Sequence, residues 1–199
     1  MASLASRAAR IALITGLALG VSACGVNTIP TKEEAVKAKW GDVENQYQRR
    51  ADLIPNLVAT VKGFAAQEKD VLESVTRARA SASQVTVDPT KLTDPAQMAK
   101  FEEAQGQVGS ALGRLLVTVE KYPELKSNEN FLQLQSQLEG TENRITVARR
   151  DYNEAVQAYN TEIRTFPAIV AAKVIYGSKP IAPFKATTAN ANAAPTVAF

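Results

Sequence analysis

Few residues of this sequence are equipped for chemistry. Cys24 is its single cysteine, and it contains no histidine. A lone cysteine forms neither an intramolecular disulfide nor a thiolate metal site. Without histidine, Ser-His-Asp and Cys-His nucleophile systems and the usual zinc-hydrolase motifs are excluded. No glycine pattern of a phosphate-binding loop or a dinucleotide fold is present. Paired carboxylates remain as possible acid–base couples. Asp42, Glu44 and Asp52 cluster near Arg49 and Arg50, and Glu142 neighbours Arg144 and Arg149. On helices these are ordinary partners three or four residues apart on solvated faces. The expectation is a protein that is not an enzyme, with no cofactor and no metal.

The chemistry that Cys24 does offer is acylation. Arg7 and Arg10 form a short basic region, and Ile11 to Ala23 follow as 13 uncharged residues. That run is too short to cross ~30 Å of hydrocarbon, which takes roughly 20 apolar residues as a helix. It suits the apolar region of a signal peptide. The stretch ends in Val21-Ser22-Ala23-Cys24-Gly25, which resembles the lipobox of bacterial lipoproteins. That resemblance implies an acylated Cys24 as the first residue after cleavage, bound to a lipid bilayer, with the rest of the chain outside the cytoplasm. Stable attachment takes two lipid signals or more, and a diacyl or triacyl cysteine supplies them. Gly25 rather than Asp follows the cysteine, which favours the inner leaflet of the outer membrane if the cell is of enterobacterial type. Loss of residues 1–23 removes two arginines and lowers the formal charge from +3 to +1. A nearly neutral chain has no concentrated basic stripe of the kind that binds nucleic acid.

The elements that must position these residues read as helices. Gly25 to Pro30 is expected to be a tether, completing a short segment 24–30. Thr31-Lys32-Glu33-Glu34 has the spacing of a capping box. From there Val36, Trp40, Val43, Tyr47, Ile54, Leu57, Val61, Phe64, Val71, Val75, Ala78 and Ala82 recur at steps of four and three. A mean period of 3.5 predicts helices packed along a left-handed seam. Arg50 and Glu68 fill the two remaining seam places, and a buried polar pair there would fix register. Pro55 lacks a backbone donor and clashes with the preceding turn, while Asp52 could cap a helix restarting there. The segment is therefore either one kinked helix or two helices broken near Asp52.

Residues 84–94 read as a loop, and Asp94-Pro95 as a cap with proline at the first helical position. Met98, Phe101, Gln105, Val108, Leu112, Leu115, Val119 and Tyr122 then keep the spacing up to Pro123. Gly106, Gly109 and Gly113 within this helix cost up to ~1 kcal/mol each against alanine, which predicts close approach of a neighbouring helix. A last long helix starts at Ser127 or Asn128. Its seam runs through Phe131, Leu134, Leu138, Thr141, Ile145, Ala148, Tyr152, Ala155, Tyr159, Glu162 and Phe166 until Pro167. At ~1.5 Å per residue it is nearly 60 Å long. Ala168 to Tyr176 is expected to form one or two helical turns on the bundle or on the membrane surface. Gly177 to Phe199, rich in Ala, Thr, Asn and Pro, reads as a mobile tail. The predicted fold is all-α: an elongated antiparallel up-and-down bundle over residues 31–176, of four helical segments, the first two joined at a break or kink near Pro55.

Several of these runs resemble a known family. Trp40-Gly41-Asp42-Val43-Glu44-Asn45-Gln46-Tyr47-Gln48-Arg49-Arg50-Ala51-Asp52-Leu53-Ile54-Pro55-Asn56-Leu57-Val58 is similar to the signature of the LemA family, as are Val61-Lys62-Gly63-Phe64 with Glu68, and Ala78-Arg79. The last helix matches in Asn130-Phe131, Leu138-Glu139-Gly140-Thr141-Glu142-Asn143-Arg144, Tyr152-Asn153, Tyr159-Asn160 and Phe166-Pro167. The resemblance covers about residues 31–185. It implies a membrane-tethered, mostly helical bundle with no established catalytic residues. Members more often carry an N-terminal transmembrane helix, which a lipobox replaces here. Functionally, an envelope scaffold or adaptor is expected. Trp40, Asp42, Glu44, Gln48, Arg49, Arg50, Asp52 and Asn56 are its expected partner-binding residues, because charge, amide and aromatic groups are dense there around a proline. The alternative, which the family's usual genomic company suggests, is an accessory subunit of an envelope protease. A weak direct hydrolase ranks third.

Overall fold

The computed structural model describes residues 26–185, and these are helical with no strand among them. Helix α1 spans Thr28–Phe64, α2 Lys69–Gln84, α3 Pro95–Val119, α4 Pro123–Lys126, α5 Glu129–Glu162 and α6 Ala168–Ala171. A single 3-10 turn (Pro89–Lys91) precedes α3, and a π-helical turn (Ala172–Tyr176) follows α6. The long elements run up, down, up and down, as the seam pattern requires. α1 and α5 are antiparallel along their length, joined by Lys32–Glu162 at 2.9 Å near one end and Arg50–Glu142 at 2.9 Å further along. Two predicted caps form. Asp94 accepts from the Ala96 and Gln97 amides, and Asn128 from the Phe131 amide, each satisfying donors that have no partner in the first helical turn.

Other expectations need correction. The tether 24–30 and the capping box at Thr31 are displaced, because α1 already begins at Thr28 and Ile29 is fully buried. Thr31 bonds back to the Asn27 carbonyl instead. The break in the first segment is not near Pro55. α1 runs through the proline and ends at Phe64, and the chain reverses over residues 65–68. Burial of Val61 and Ala65, then of Leu72 and Val75, shows the seam moving by one residue across this turn, which leaves Phe64 41% exposed. Gly106, Gly109 and Gly113 meet no neighbouring atom where a side chain would begin. They mark no close helix approach. Arg50 and Glu68 are not a pair, since Glu68 accepts from the Tyr122 hydroxyl at 2.6 Å. At the end of α5, Ile163 is buried in place of Phe166, which is 79% exposed.

The largest departure is the segment 177–185, expected to be mobile tail. Ile181 and Phe184 are buried in the same core as Trp40 and Tyr152. The cause is a difference in helix length. α1 has 37 residues and α2 only 16, or about 55 and 24 Å at 1.5 Å per residue. α2 therefore covers α1 only toward its C-terminal end, and the remaining apolar face needs another cover. Val87 and Leu92 of the α2–α3 loop and residues 181–184 provide it. Asn160 exchanges two hydrogen bonds with the Ile181 backbone, both at 2.9 Å, and Asn153 two with that of Phe184 at 2.8 and 3.1 Å. Seven helical residues rise ~10.5 Å and three extended residues span about 10 Å, so one helix face grips a strand-like peptide in register. Residues 186–199 and Cys24 lie outside the described residues.

Candidate functional site

The interior divides into two apolar cores stacked along the rod. One contains Trp40, Tyr47, Phe101, Tyr152 and Phe184, and the other contains Ile54, Leu57, Val75, Leu115 and Phe131. Arg50 sits between them on α1, at 4% exposure. Its guanidinium donates to Glu142 Oε1 on α5 at 2.9 Å, and to Gln105 of α3 at both Oε1 (2.6 Å) and the carbonyl (3.1 Å). It also lies 5.0 Å from the Tyr47 ring centroid. Fully buried Thr141 continues this polar layer, donating to the Gln137 carbonyl and accepting from Arg144. A buried arginine tolerates this position because its charge is paired and its donors are used.

One turn further along, Pro55 explains a second arginine. Proline has no amide hydrogen, so the carbonyl four residues earlier, Ala51, loses its helical partner. Arg79 of α2 fills the vacancy, its Nε donating to the Ala51 carbonyl at 2.7 Å. The helix passes through proline without breaking because a neighbouring helix supplies the missing donor. Beside this contact is a cavity of about 110 Å³, lined by Glu44, Gln48, Arg50, Arg79, Ser83 and Gln105 among others. Burial raises the pKa of the Glu44 carboxyl. Burial also raises the Tyr47 phenol, opposed by the nearby charges of Arg149 and Arg50. Ser83 donates its hydroxyl to the Arg79 carbonyl at 3.0 Å. The junction supplies fixed charge and hydrogen-bond donors. Among the described residues no group of His, Cys, Asp or Glu is arranged to hold a metal ion.

The residues expected to bind a partner separate into three groups. Trp40 and Arg50 are buried and must be removed from that surface. Trp40 is the centre of an aromatic cluster, with Phe101 at 5.2 Å, Tyr152 at 5.6 Å and Phe184 at 5.9 Å. Asp42, Arg49, Asp52 and Asn56 are exposed and share one outward stripe of α1, which their spacings of seven, three and four dictate. Glu44 and Gln48 lie on the adjoining face at the cavity, with Gln48 donating to Asp52 at 2.7 Å. Arg79, Asn153 and Asn160 lie in the runs that resemble the family and Gln105 in a seam place, but none was given a role from the sequence. A signal for Arg79 did exist, since a proline inside a helix requires an outside donor for the orphaned carbonyl. The polar residue at the Gln105 seam place was another.

Comparison with known proteins places this geometry. The chain is 30% identical over 157 residues to each of the magnetosome proteins MamQ 2 and MamQ 1 of Paramagnetospirillum magneticum, matches covering 71% of this chain and 58% of theirs. It is 29% identical over 119 residues to protein LemA of Metamycoplasma hominis, covering 60% of this chain and 50% of that protein. The chain thus spans less than two thirds of the length of these relatives. The model of the LemA family matches residues 39–199, which include α1 from Lys39 onward, the polar layer, the Pro55–Arg79 contact and the Asn153–Asn160 grip. With that match over most of its length, the chain belongs to the LemA family.

Proposed function

We propose that this protein is an exported lipoprotein, anchored through acylated Cys24, that works as a non-catalytic helical adaptor for envelope proteins. Its contact surface is the α1 stripe of Asp42, Arg49, Asp52 and Asn56, flanked by Glu44 and Gln48. One observation carries this placement. The stripe is exposed on a helix that is buttressed beneath it by the Arg50 layer and the Arg79 contact. Rigid presentation lowers the ordering cost of binding. Within the stripe, Arg49 has no ion-pair or hydrogen-bond partner among the described residues, so its charge is available to an acidic group on a partner.

The test uses the full chain in its native cells, with a photo-crosslinking residue at position 49 or 56 and a control at Ser110 on α3. Partner adducts are expected at 49 and 56, and Arg49→Glu with Asp52→Lys should remove them. Adducts identical to those from the control face would place the contact elsewhere. An envelope protease among the adducts would favour the accessory-subunit reading over a general scaffold. The anchor is tested separately by mass spectrometry of the N-terminal peptide. A chain retaining Met1 and a free Cys24 thiol would refute it.

A further inference from the structure

Beyond α5 the chain exposes an unusual concentration of apolar side chains. Phe166 and Val174 are each 79% exposed, Ile175 62%, Val170 56% and Tyr176 41%. Patches of this kind on a folded domain mark an interaction surface. The backbone of this segment is well packed, because Ala168, Ala171 and Ala172 are buried against the same core as Ile29 of α1. The helix therefore uses its small residues to dock on the bundle and turns its large ones outward.

The position of the patch identifies what covers it. It lies at the end of the rod where α1 begins, since Lys32 pairs with Glu162, and Tyr176 and Lys179 share a groove with Glu33 and Lys37. Val26 at that end is two residues past Cys24. Two extended residues reach at most about 7 Å. Exposed Arg164, Lys173 and Lys179 border the patch, while the acids of this end, Glu33, Glu34 and Glu162, are held by Lys37 and Lys32. An apolar surface with a basic rim suits the interface of a bilayer containing anionic lipid.

We infer that Phe166, Val170, Val174, Ile175 and Tyr176 insert into the surface of an anionic bilayer, so that the rod stands on the membrane with α1 directed away from it. This rests on the proposed Cys24 anchor and adds a second, non-covalent contact to it. It also sets the height of the α1 stripe. Residues 42–56 lie 16 to 30 positions along from Val26, or about 25–45 Å above the bilayer at 1.5 Å per residue.

The experiment takes the full chain from a bacterial host that acylates Cys24, reconstituted into phosphatidylcholine–phosphatidylglycerol vesicles carrying nitroxide-labelled lipid. With Cys24 acylated, an environment-sensitive dye attaches only to an introduced cysteine, at Ile175→Cys or at Val117→Cys toward the opposite end as control. Both native side chains are exposed, so neither change disturbs the core. The expected result is loss of most dye emission at 175 and none at 117. Equal emission at the two positions, on a chain whose acyl mass is confirmed, overturns the inference while leaving the anchor intact. A chain whose mass shows Cys24 unacylated overturns the anchor and, with it, the inference that rests on it. Self-quenching at 175 in vesicles without nitroxide would assign the patch to a second copy of this chain, and likewise overturns it.

Discussion

The contact between Pro55 and Arg79 makes a quantitative prediction about two residues 24 positions apart in sequence. In the wild-type chain the Ala51 carbonyl has lost its helical donor to Pro55 and takes one from Arg79 Nε at 2.7 Å. Hydrogen bonds to charged groups contribute about 1.5–3 kcal/mol. Arg79 is only half-buried and borders the cavity, so water can replace part of the bond, and Arg79→Ala should cost about 1–2 kcal/mol. Pro55→Ala restores an amide at position 55 and relieves the ring clash, a change worth up to ~3 kcal/mol in a helix interior. In that background the Ala51 carbonyl is satisfied within its own helix, so losing Arg79 should cost about 1 kcal/mol less than in the wild type. Packing lost with the arginine stem is common to both backgrounds and cancels in the cycle. Urea unfolding of the four chains, followed by helical circular dichroism, measures the coupling. If Arg79→Ala costs the same in both backgrounds within about 0.4 kcal/mol, Arg79 does not act by replacing the donor that proline lacks.

Three further outcomes follow from the packing. Asn153→Ala and Asn160→Ala each remove two hydrogen bonds from residues 181–184, at about 0.5–1.5 kcal/mol apiece. Hydrogen exchange at the Ile181 and Phe184 amides should accelerate about tenfold or more per substitution, and unchanged exchange would show that burial of Phe184 alone holds the segment. Alanine at Gly106, Gly109 and Gly113 meets no atom within 4 Å, so each change should stabilise the chain, by up to ~1 kcal/mol; a lower Tm in the triple variant would contradict that. Arg50→Ala leaves a void and an unpaired Gln105, while Glu142, at 48% side-chain exposure, is still reached by water, so the cost should be about 2–3 kcal/mol. Arg50→Met should cost much less, and equal losses in chemical denaturation would make the charge itself the stabilising element.

The pattern of seam residues was enough to establish an all-α bundle of long antiparallel helices, and it placed Tyr47, Tyr152 and Tyr159 in the core; Trp40 held a seam place too, yet was also expected at the contact surface, and its burial decides for the core. Helix starts at Asp94 and Asn128 were also legible, because a cap is local chemistry between residues two or three apart. Arg50 was marked by occupying an apolar place in the repeat. Gln105 occupies another such place, but nothing tied it or Glu142 to Arg50, because three helices meet there and no spacing within one helix records that. The reversal at residues 65–68 escaped for a related reason. A short turn without glycine or proline continued the three–four spacing, so a change of direction left only a one-residue shift in burial. Proline itself pointed the wrong way, since the loss it causes within one helix was repaired from another.

What the sequence by itself determined is therefore whatever acts within a few residues: helix periodicity, caps, and the basic–apolar–cysteine order around Cys24. Tertiary structure alone decided the fate of residues 177–185 and the identity of the exposed stripe. Low-complexity neighbours made 177–185 read as tail, but a short α2 leaves part of α1 uncovered, and Ile181 and Phe184 fill that space under the grip of Asn160 and Asn153. The same packing took Trp40 and Arg50 out of the expected contact surface and left Asp42, Arg49, Asp52 and Asn56 facing solvent. Which side of a helix is outside depends on the elements that reach it, and those that cover Arg50 and Trp40 contribute residues 55, 92 and 144 positions away along the chain.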